Sequence, residues 1–190
     1  FDFDAVEING ALKKKYHDPE PDLEAYVPKD FSNLTQKRLY NLIPIMTTRG
    51  CPYNCEFCCV TDIFGKKVRH IPVENVVRDI KDSKAKGFMF LDDNIIGHPK
   101  YAKELFRAIK PLKIGWAGQA SISLLRDTEL LQLASESGCK ALFIGLESVS
   151  EEQLKTMHKS IKEIKHLEYS LKQINKMGIH IHASMIFGFD

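Results

Sequence analysis

The residues best suited to chemistry lie in one short segment, Gly50–Val60, which reads GCPYNCEFCCV and contains four of the chain's five cysteines. Cys51, Cys55 and Cys58 follow a C-x3-C-x2-C spacing, and Cys59 lies outside it. Thiolates are soft ligands that bind zinc, copper(I) and iron–sulfur clusters. The segment therefore predicts a metal or redox centre.

The spacing leaves several kinds of thiol site open. Structural zinc usually takes four ligands in two separated pairs, and here the fourth ligand would have to be His70, because Cys139 stands alone far downstream. A redox pair of Cys55 and Cys58 is a second interpretation. Three closely spaced thiolates favour an iron–sulfur cluster that keeps one iron open to another molecule. An odd number of cysteines fits a disulfide framework poorly.

Two cysteines are not expected to be ligands. Cys59 breaks the spacing, and Cys139 begins a predicted strand. Free cysteine behaves as a small hydrophobic residue. We therefore predict that both thiols are buried in the core.

Other polar residues gather where the predicted strands end. Parallel sheets bind ligands at the carboxyl ends of their strands. We therefore expect a single site beside the cysteine segment. Its candidate residues are Arg49, Gly50, Asp92, Asp93, Asn94, Gln119, Ser121, Glu147, Ser148 and Asp190.

Apolar runs and helical periods alternate along most of the chain and predict the elements that position these residues. The predicted strands are 42–48, 88–96, 113–122, 140–148 and 179–190. The predicted helices are 72–87, 100–112, 127–138 and 161–178, of which three end at Gly87, Gly138 and Gly178. This alternation predicts an α/β fold of parallel strands, either an open doubly wound sheet or a barrel. Pro44 suits an edge strand.

Composition limits the class of protein. The chain has 190 residues, of which 44% are apolar and 27% charged, as in an ordinary globular domain. The net charge of +2 disfavours a nucleic-acid surface. No apolar run approaches the roughly 20 residues that cross a bilayer, and the first residues do not resemble a signal peptide. Thiols reserved for metal then predict a cytoplasmic location.

Residues 1–40 differ from the rest of the chain. They are rich in charge and proline and have no sustained period, which predicts an extended linker or arm. The first residue is not methionine, so we expect the chain to begin inside a longer protein.

The segment CPYNCEFC resembles the cluster-binding loop of the radical S-adenosylmethionine (SAM) superfamily, C-x3-C-x-aromatic-C, with Phe57 at the aromatic position. In that family the loop follows the first strand, as it does in the order predicted here. The resemblance covers about residues 42–190 and implies a partial (β/α)6 TIM-like barrel of parallel strands. Because about five strands are present, we expect residues 41–190 to be a core barrel that stops before its last unit.

The resemblance also implies the cofactors. Cys51, Cys55 and Cys58 would ligate three irons of a [4Fe–4S] cluster, and the methionine part of SAM would chelate the fourth. An electron passed through the cluster would cleave SAM to a 5′-deoxyadenosyl radical that abstracts hydrogen from substrate. A donor such as flavodoxin or ferredoxin would supply the electron.

The family's carboxylate motif, which accepts a hydrogen bond from the SAM amine, corresponds by position to Asp92, Asp93 and Asn94. Strand alternation predicts Asp92 and Asn94 on one face and Asp93 on the other. The resemblance implies that Glu147 meets ribose hydroxyls or substrate.

The remaining implied contacts lie on other strands. Gln119 and Ser121 are expected to point into the barrel towards substrate or SAM, and Gly188 to let the backbone lie against adenine. Arg49 either contacts cluster or SAM, or caps its strand. His180 and His182 share a strand face and are expected to form hydrogen bonds in the interior. No residue is assigned a catalytic role.

TTRGCPYNCEFCCV and FLDDNIIG together resemble a narrower group, the radical SAM proteins that carry a preceding cobalamin-binding domain. Residues 1–40 resemble the connector that follows that domain. The resemblance implies cobalamin-assisted methyl transfer to an unactivated carbon of a small-molecule or lipid-like substrate, with cobalamin bound outside this chain. A non-catalytic iron–sulfur electron-transfer protein, a zinc-binding module and a methylthiotransferase that modifies transfer RNA remain alternatives.

Overall fold

The structure is a computed structural model that describes residues 7–8, 11–12, 22–31, 42–159 and 167–188. Two short strands near the N-terminus, β1 (Glu7–Ile8) and β2 (Ala11–Leu12), pair antiparallel. The sequence did not predict this pair, because strands of two residues have no detectable period. Residues 22–31 form no helix or strand.

The remaining strands and helices alternate along the chain. The strands are β3 (Ile43–Ile45), β4 (Thr48–Arg49), β5 (Arg69–His70), β6 (Gly87–Phe90), β7 (Gly115–Ala120), β8 (Cys139–Glu147) and β9 (His180–Met185). The α-helices are α1 (Val60–Phe64), α2 (Val73–Ser83), α3 (Pro99–Ile109), α4 (Thr128–Glu136), α5 (Glu151–Thr156) and α6 (Leu167–Lys176).

Five parallel strands form the main sheet in the order β3-β6-β7-β8-β9. Neighbours in this sheet follow one another along the chain, without the reversal of strand order that defines a doubly wound sheet. The prediction of an α/β fold with about five parallel strands, part of a TIM-like barrel, is therefore confirmed. Pro44 lies in the edge strand β3, as expected.

Residues of α2, α3, α4 and α6 join strands of this sheet in one hydrophobic core. In α2 the buried residues Val73, Val76 and Ile80 recur at helical spacing, and they join the core that contains Trp116 of β7. Trp116 contacts the rings of Phe90 and Phe106 at centroid distances of 5.2 and 5.1 Å. The opposite face of β7 and β8 is more accessible, as the interior of an incomplete barrel would be.

Several boundaries differ from the sequence prediction. Gly87 does not end α2: the helix stops at Ser83, Lys84 takes the left-handed conformation at φ 55°, and Gly87 begins β6. The predicted 88–96 strand ends at Phe90. The part of helix 161–178 before Leu167 lies outside the described residues, and so does Asp190.

The short helices α1 and α5 were not predicted, and neither was the antiparallel pairing of β4 with β5. Each of these elements is too short to show a period. All of them flank either the cysteine segment or the end of β8.

Candidate metal and cofactor site

The cysteine segment begins directly after β4 at Gly50. Gly50 has φ +94°, and a Cβ there would lie 2.6 Å from the carbonyl oxygen of Lys67. Only glycine fits this turn without moving backbone. The turn leads the chain out of the β4–β5 pair and into Cys51, at the carboxyl end of the main sheet.

Cys51, Cys55 and Cys58 are free, partly buried thiols. The amide of Cys58 donates to the carbonyl of Cys55 at 3.1 Å, so a tight turn separates those two residues. Cys59 is exposed and precedes the first residue of α1, so the prediction of a buried Cys59 is wrong. Burial was expected because a cysteine outside the ligand spacing behaves as a small hydrophobic residue, but Cys59 lies on the surface here. Cys139 is buried in the core as predicted.

Burial is the main cause of the raised pKa of the Cys51 and Cys55 thiols. Loss of solvent raises the pKa of Cys51, and a backbone hydrogen bond at Tyr53 and the side chain of Asn94 oppose that rise. Burial also raises the pKa of Cys55, and the positive charge of Lys159 opposes it. Each of these thiols also lies within electrostatic reach of Cys58. A metal that binds the deprotonated thiols would supply the compensating positive charge.

Asp92 is fully buried and binds the backbone that leads to the cysteine segment. Its Oδ1 accepts the amide of Thr47 at 2.7 Å and also the amide of Thr48, and its Oδ2 accepts the Thr47 hydroxyl at 2.9 Å. Burial raises the pKa of Asp92 to about 6, although the hydrogen bonds from both threonines oppose the rise. These contacts hold β3 and β4 against the end of β6.

Asp93 and Asn94 both face the cysteine segment. Asp93 Oδ2 accepts the amide of Gly50 at 2.9 Å, and Asn94 Nδ2 lies 3.9 Å from the sulfur of Cys51. The prediction that Asp93 lies on the opposite face from Asn94 is wrong, because both side chains contact the cysteine segment. The strand has ended at Phe90, so the alternation of a strand no longer applies to these residues.

Gln119 lies in β7 and Ser121 directly follows it, and the two predicted site residues have different surroundings. Ser121 donates its amide to Asn94 Oδ1 at 3.2 Å, and its hydroxyl lies 2.6 Å from that of Ser123. Gln119 lies on the accessible face of the sheet, in register with Phe143 of β8, which is in register with His182 of β9. The rings of Phe143 and His182 are 5.0 Å apart. This row crosses the accessible side of the sheet.

Glu147 ends β8 in an uncommon backbone conformation, with φ +64°. Its Oε1 accepts from Lys159 Nζ at 2.9 Å, and Lys159 also donates to the carbonyl of Gly145 at 2.7 Å. The side chains of Glu147 and Lys159 are only 8% and 17% exposed. Lys159 thus brings a positive charge to the end of β8, within electrostatic reach of Cys55.

The turn after α5 contacts the cysteine segment directly. The amide of Glu56 donates to the carbonyl of Met157 at 3.2 Å, and the carboxylate of Glu56 lies 3.3 Å from His158 Nδ1. The backbone between Cys55 and Cys58 is therefore held from the β8 side of the sheet as well as from β6.

The other predicted residues lie at the edge of this region. Phe57 belongs to the cysteine segment and is 38% exposed. Gly188 follows β9 with φ +73°, and among the described residues no atom beyond its chain neighbours lies within 4 Å of the position its Cβ would take. The guanidinium of Arg49 lies 4.4 Å from the ring centre of Phe64, a cation–π contact.

Three contributors were missed from the sequence: Tyr53, Ser123 and Lys159. Tyr53 donates its hydroxyl to Ser123 at 2.9 Å. Within the described ranges no three His, Cys, Asp or Glu side chains converge on one ion. A cubane cluster makes no such demand, because each thiolate binds a different iron. Three free thiols on one held segment therefore fit a [4Fe–4S] cluster.

Comparison with known proteins decides the family. The family described as the Radical SAM superfamily matches residues 45–190, which is most of the chain. The chain belongs to the radical SAM superfamily. The superfamily implies a [4Fe–4S] cluster and SAM as cofactors, as the resemblance of the cysteine segment predicted. Membership of this enzyme superfamily argues against the two alternatives of a zinc-binding module and a non-catalytic electron carrier.

Several curated relatives of this radical SAM chain are named as methyltransferases. It is 35% identical over 173 residues to bacteriochlorophyllide d C-12(1)-methyltransferase of Chlorobaculum tepidum, covering 86% of this chain and 38% of the relative. It is 33% identical over 149 residues to cytidylyl-2-hydroxyethylphosphonate methyltransferase of Streptomyces wedmorensis, covering 76% and 28%. The radical SAM chain thus spans about a third of the length of these relatives.

A solved structure shows the same fold. The radical SAM methyltransferase TsrM of Kitasatospora setae, described with cobalamin and a [4Fe–4S] cluster bound, superposes with a TM-score of 0.73 at 21% identity. The match covers 86% of this chain and 34% of TsrM. In the part of the radical SAM chain that the structure describes, no helix is long and apolar enough to span a membrane.

Proposed function

We propose that this chain is the radical-generating core of a cobalamin-assisted methyltransferase. The observation that carries the proposal is the cysteine segment, with three partly buried free thiols held at the end of a parallel sheet. Methyltransferase relatives that share most of this chain support methyl transfer. Residues 1–40 would connect residues 41–190 to a cobalamin-binding domain, and residues 41–190 would form a core barrel without its last unit.

Cys51, Cys55 and Cys58 would hold the [4Fe–4S] cluster. When bound and reduced, this cluster supplies the electron that cleaves SAM. Asn94 and Lys159 would place a hydrogen-bond donor and a positive charge beside the ligand thiols. Asp92 and Asp93 would fix the backbone on which those thiols are mounted.

SAM and substrate would occupy the accessible side of the sheet. Asp93 and Asn94 remain the candidates near the SAM amine, whereas both oxygens of Asp92 are already occupied by threonines. Glu147 would meet ribose hydroxyls or substrate, and Ser121 would reach this region through Asn94. Phe57, Gln119 and Gly188 complete the proposed contacts, Gln119 through the accessible row across the sheet.

The proposed substrate is a small or lipid-like molecule, because Gln119, Phe143 and His182 offer a mixed apolar and polar surface without excess positive charge. A flavodoxin or ferredoxin would donate the electron. A reducing cytoplasm suits thiols that must stay free for metal.

The test uses full-length protein reconstituted anaerobically with iron and sulfide. We expect about four irons per chain, and 5′-deoxyadenosine after addition of SAM and dithionite. Methyl transfer should require added cobalamin. Stoichiometric zinc without iron would refute the proposal, and a product carrying a methylthio group would instead support the methylthiotransferase alternative.

A further inference from the structure

Five side chains connect the cysteine segment to the ends of β6 and β7 in a hydrogen-bonded ring. Asn94 Nδ2 lies 3.9 Å from Cys51 Sγ and 3.5 Å from Ser121 Oγ. The hydroxyls of Ser121 and Ser123 are 2.6 Å apart, and the Tyr53 hydroxyl donates to Ser123 at 2.9 Å. Tyr53 lies two residues after Cys51, so the backbone closes the ring. We call these residues the Asn94 ring.

The ring fixes which end of the Asn94 amide faces the sulfur. Asn94 Oδ1 accepts the backbone amide of Ser121 at 3.2 Å, and a backbone amide can only donate. If the Asn94 amide were turned over, two donors would face each other. Asn94 is 3% exposed, so water cannot readily replace the lost contact. The nitrogen of Asn94 therefore points to Cys51 and Ser121.

An N–H donor at a cluster sulfur has a defined electrostatic consequence. Reduction adds negative charge to the cluster and its thiolates, and a hydrogen bond to sulfur stabilises that added charge. Hydrogen bonds to the sulfurs are among the features that set cluster reduction potentials. The effect is largest where solvent is excluded, as it is around Asn94.

We propose that Asn94 is a positioning residue that donates to the Cys51 sulfur and raises the reduction potential of the cluster, with Tyr53, Ser123 and Ser121 holding its amide in place. The inference rests on the proposed function, because it takes Cys51 as a cluster ligand. The higher potential would make the cluster easier for a physiological donor to reduce.

The test is a redox titration of full-length, anaerobically reconstituted protein, with dithionite as reductant and the EPR signal of the reduced cluster as readout. We expect a more negative midpoint potential in Asn94→Ala, at unchanged iron content. Asn94→Asp should shift it further in the same direction, because it keeps the acceptor for Ser121 and puts a carboxylate oxygen towards the sulfur. Asn75→Ala, which alters an asparagine of α2, is the matched control and should not shift it.

Tyr53→Phe and Ser123→Ala test the rest of the ring, since both remove the same hydrogen bond. Each should shift the midpoint potential negatively by less than Asn94→Ala, and the double variant by no more than the larger single shift. If Asn94→Ala does not load a cluster, these two variants decide the question, and unchanged midpoints in both would overturn the inference.

The outcomes separate this inference from the function beneath it. Wild-type protein that holds about four irons, with unchanged midpoints in Asn94→Ala and Asn94→Asp, overturns the role of Asn94 alone. Wild-type protein that forms no [4Fe–4S] cluster overturns the proposed function and the inference with it.

Discussion

Lys159 Nζ lies 2.9 Å from Glu147 Oε1, and this ion pair is mostly buried at the end of β8. The same ammonium group donates to the carbonyl of Gly145. The pair therefore joins the end of β8 to the segment after α5, beside the cysteine segment.

Removing the side chain of Lys159 should lower the free energy of unfolding. Lys159→Ala leaves the Glu147 carboxylate buried without its partner, and breaking a buried pair in this way costs about 3 kcal/mol. We expect that loss in the free energy of unfolding, measured by urea denaturation with the fluorescence of Trp116, the chain's single tryptophan. Lys155→Ala, which alters an exposed lysine of α5, should change the free energy by less than about 0.5 kcal/mol. Equal effects of the two variants would contradict the prediction.

The turn before Cys51 gives a second prediction. Gly50→Ala forces an alanine to φ +94° and places its Cβ 2.6 Å from the Lys67 carbonyl, so the backbone must move. We expect reduced iron content after anaerobic reconstitution, together with lower thermal stability.

Gly178→Ala is the matched control for that turn. Gly178 also has positive φ, at +75°, but in the part of the chain that the structure describes nothing beyond its neighbours lies within 4 Å of the position of its Cβ. It should lose only about 1 kcal/mol of stability and keep its iron. Normal iron content in Gly50→Ala would show that the turn does not position the thiols.

Asp92 predicts a pH dependence of stability. Its pKa is about 6 in the fold, above the value of about 3.9 in an unfolded chain. Between these values the folded state binds more protons than the unfolded state. Protonation therefore stabilises the fold fully below about pH 4, and this contribution is lost as the pH rises through about 6.

Asp92→Asn removes that titration and keeps an oxygen to accept from Thr47. The free energy of unfolding of wild type minus that of Asp92→Asn should fall by about 2 kcal/mol between about pH 4 and pH 7. Urea denaturation across this range provides the measurement. A difference that does not change with pH would show that Asp92 does not titrate in this way.

The cysteines give a direct prediction of ligand identity. Cys58→Ala should abolish both cluster assembly and SAM cleavage, because it removes one of three proposed ligands. Cys59→Ala should retain about four irons, since the exposed Cys59 lies outside the ligand spacing. Iron and sulfide analysis after reconstitution checks both variants. Loss of iron in Cys59→Ala would show that Cys59 is itself a cluster ligand.

The sequence predicted those strands and helices whose apolar residues form a long run or recur at a regular spacing. The runs around Phe88, Trp116 and Leu142 are buried strands that pair in the order of the chain, and parallel packing of such runs leaves few alternatives. The spacing of the three proposed ligand cysteines was equally informative, because cluster chemistry restricts both residue type and separation.

Contacts that depend on where an element ends could not be predicted. A strand continued to Ile96 would have separated Asp93 from Asn94, but the strand stops at Phe90 and both side chains turn to the cysteine segment. Lys159 has no distinguishing pattern among the chain's many lysines. Tyr53 and Ser123 meet only because β7 and the cysteine segment are brought together in space.

The contacts of the cysteine segment have a consequence for biosynthesis. Tyr53 and Ser123 are 70 residues apart, and Glu56 pairs with Met157 still later in the chain. A ribosome releases the cysteine segment first, and Met157 follows only after four further strands, β5 to β8, have been made. Until then the cysteine segment lacks its contacts with Ser123 and Met157. The complete set of contacts around the cysteine segment therefore exists only after translation has passed α5, and we expect cluster insertion to follow that point.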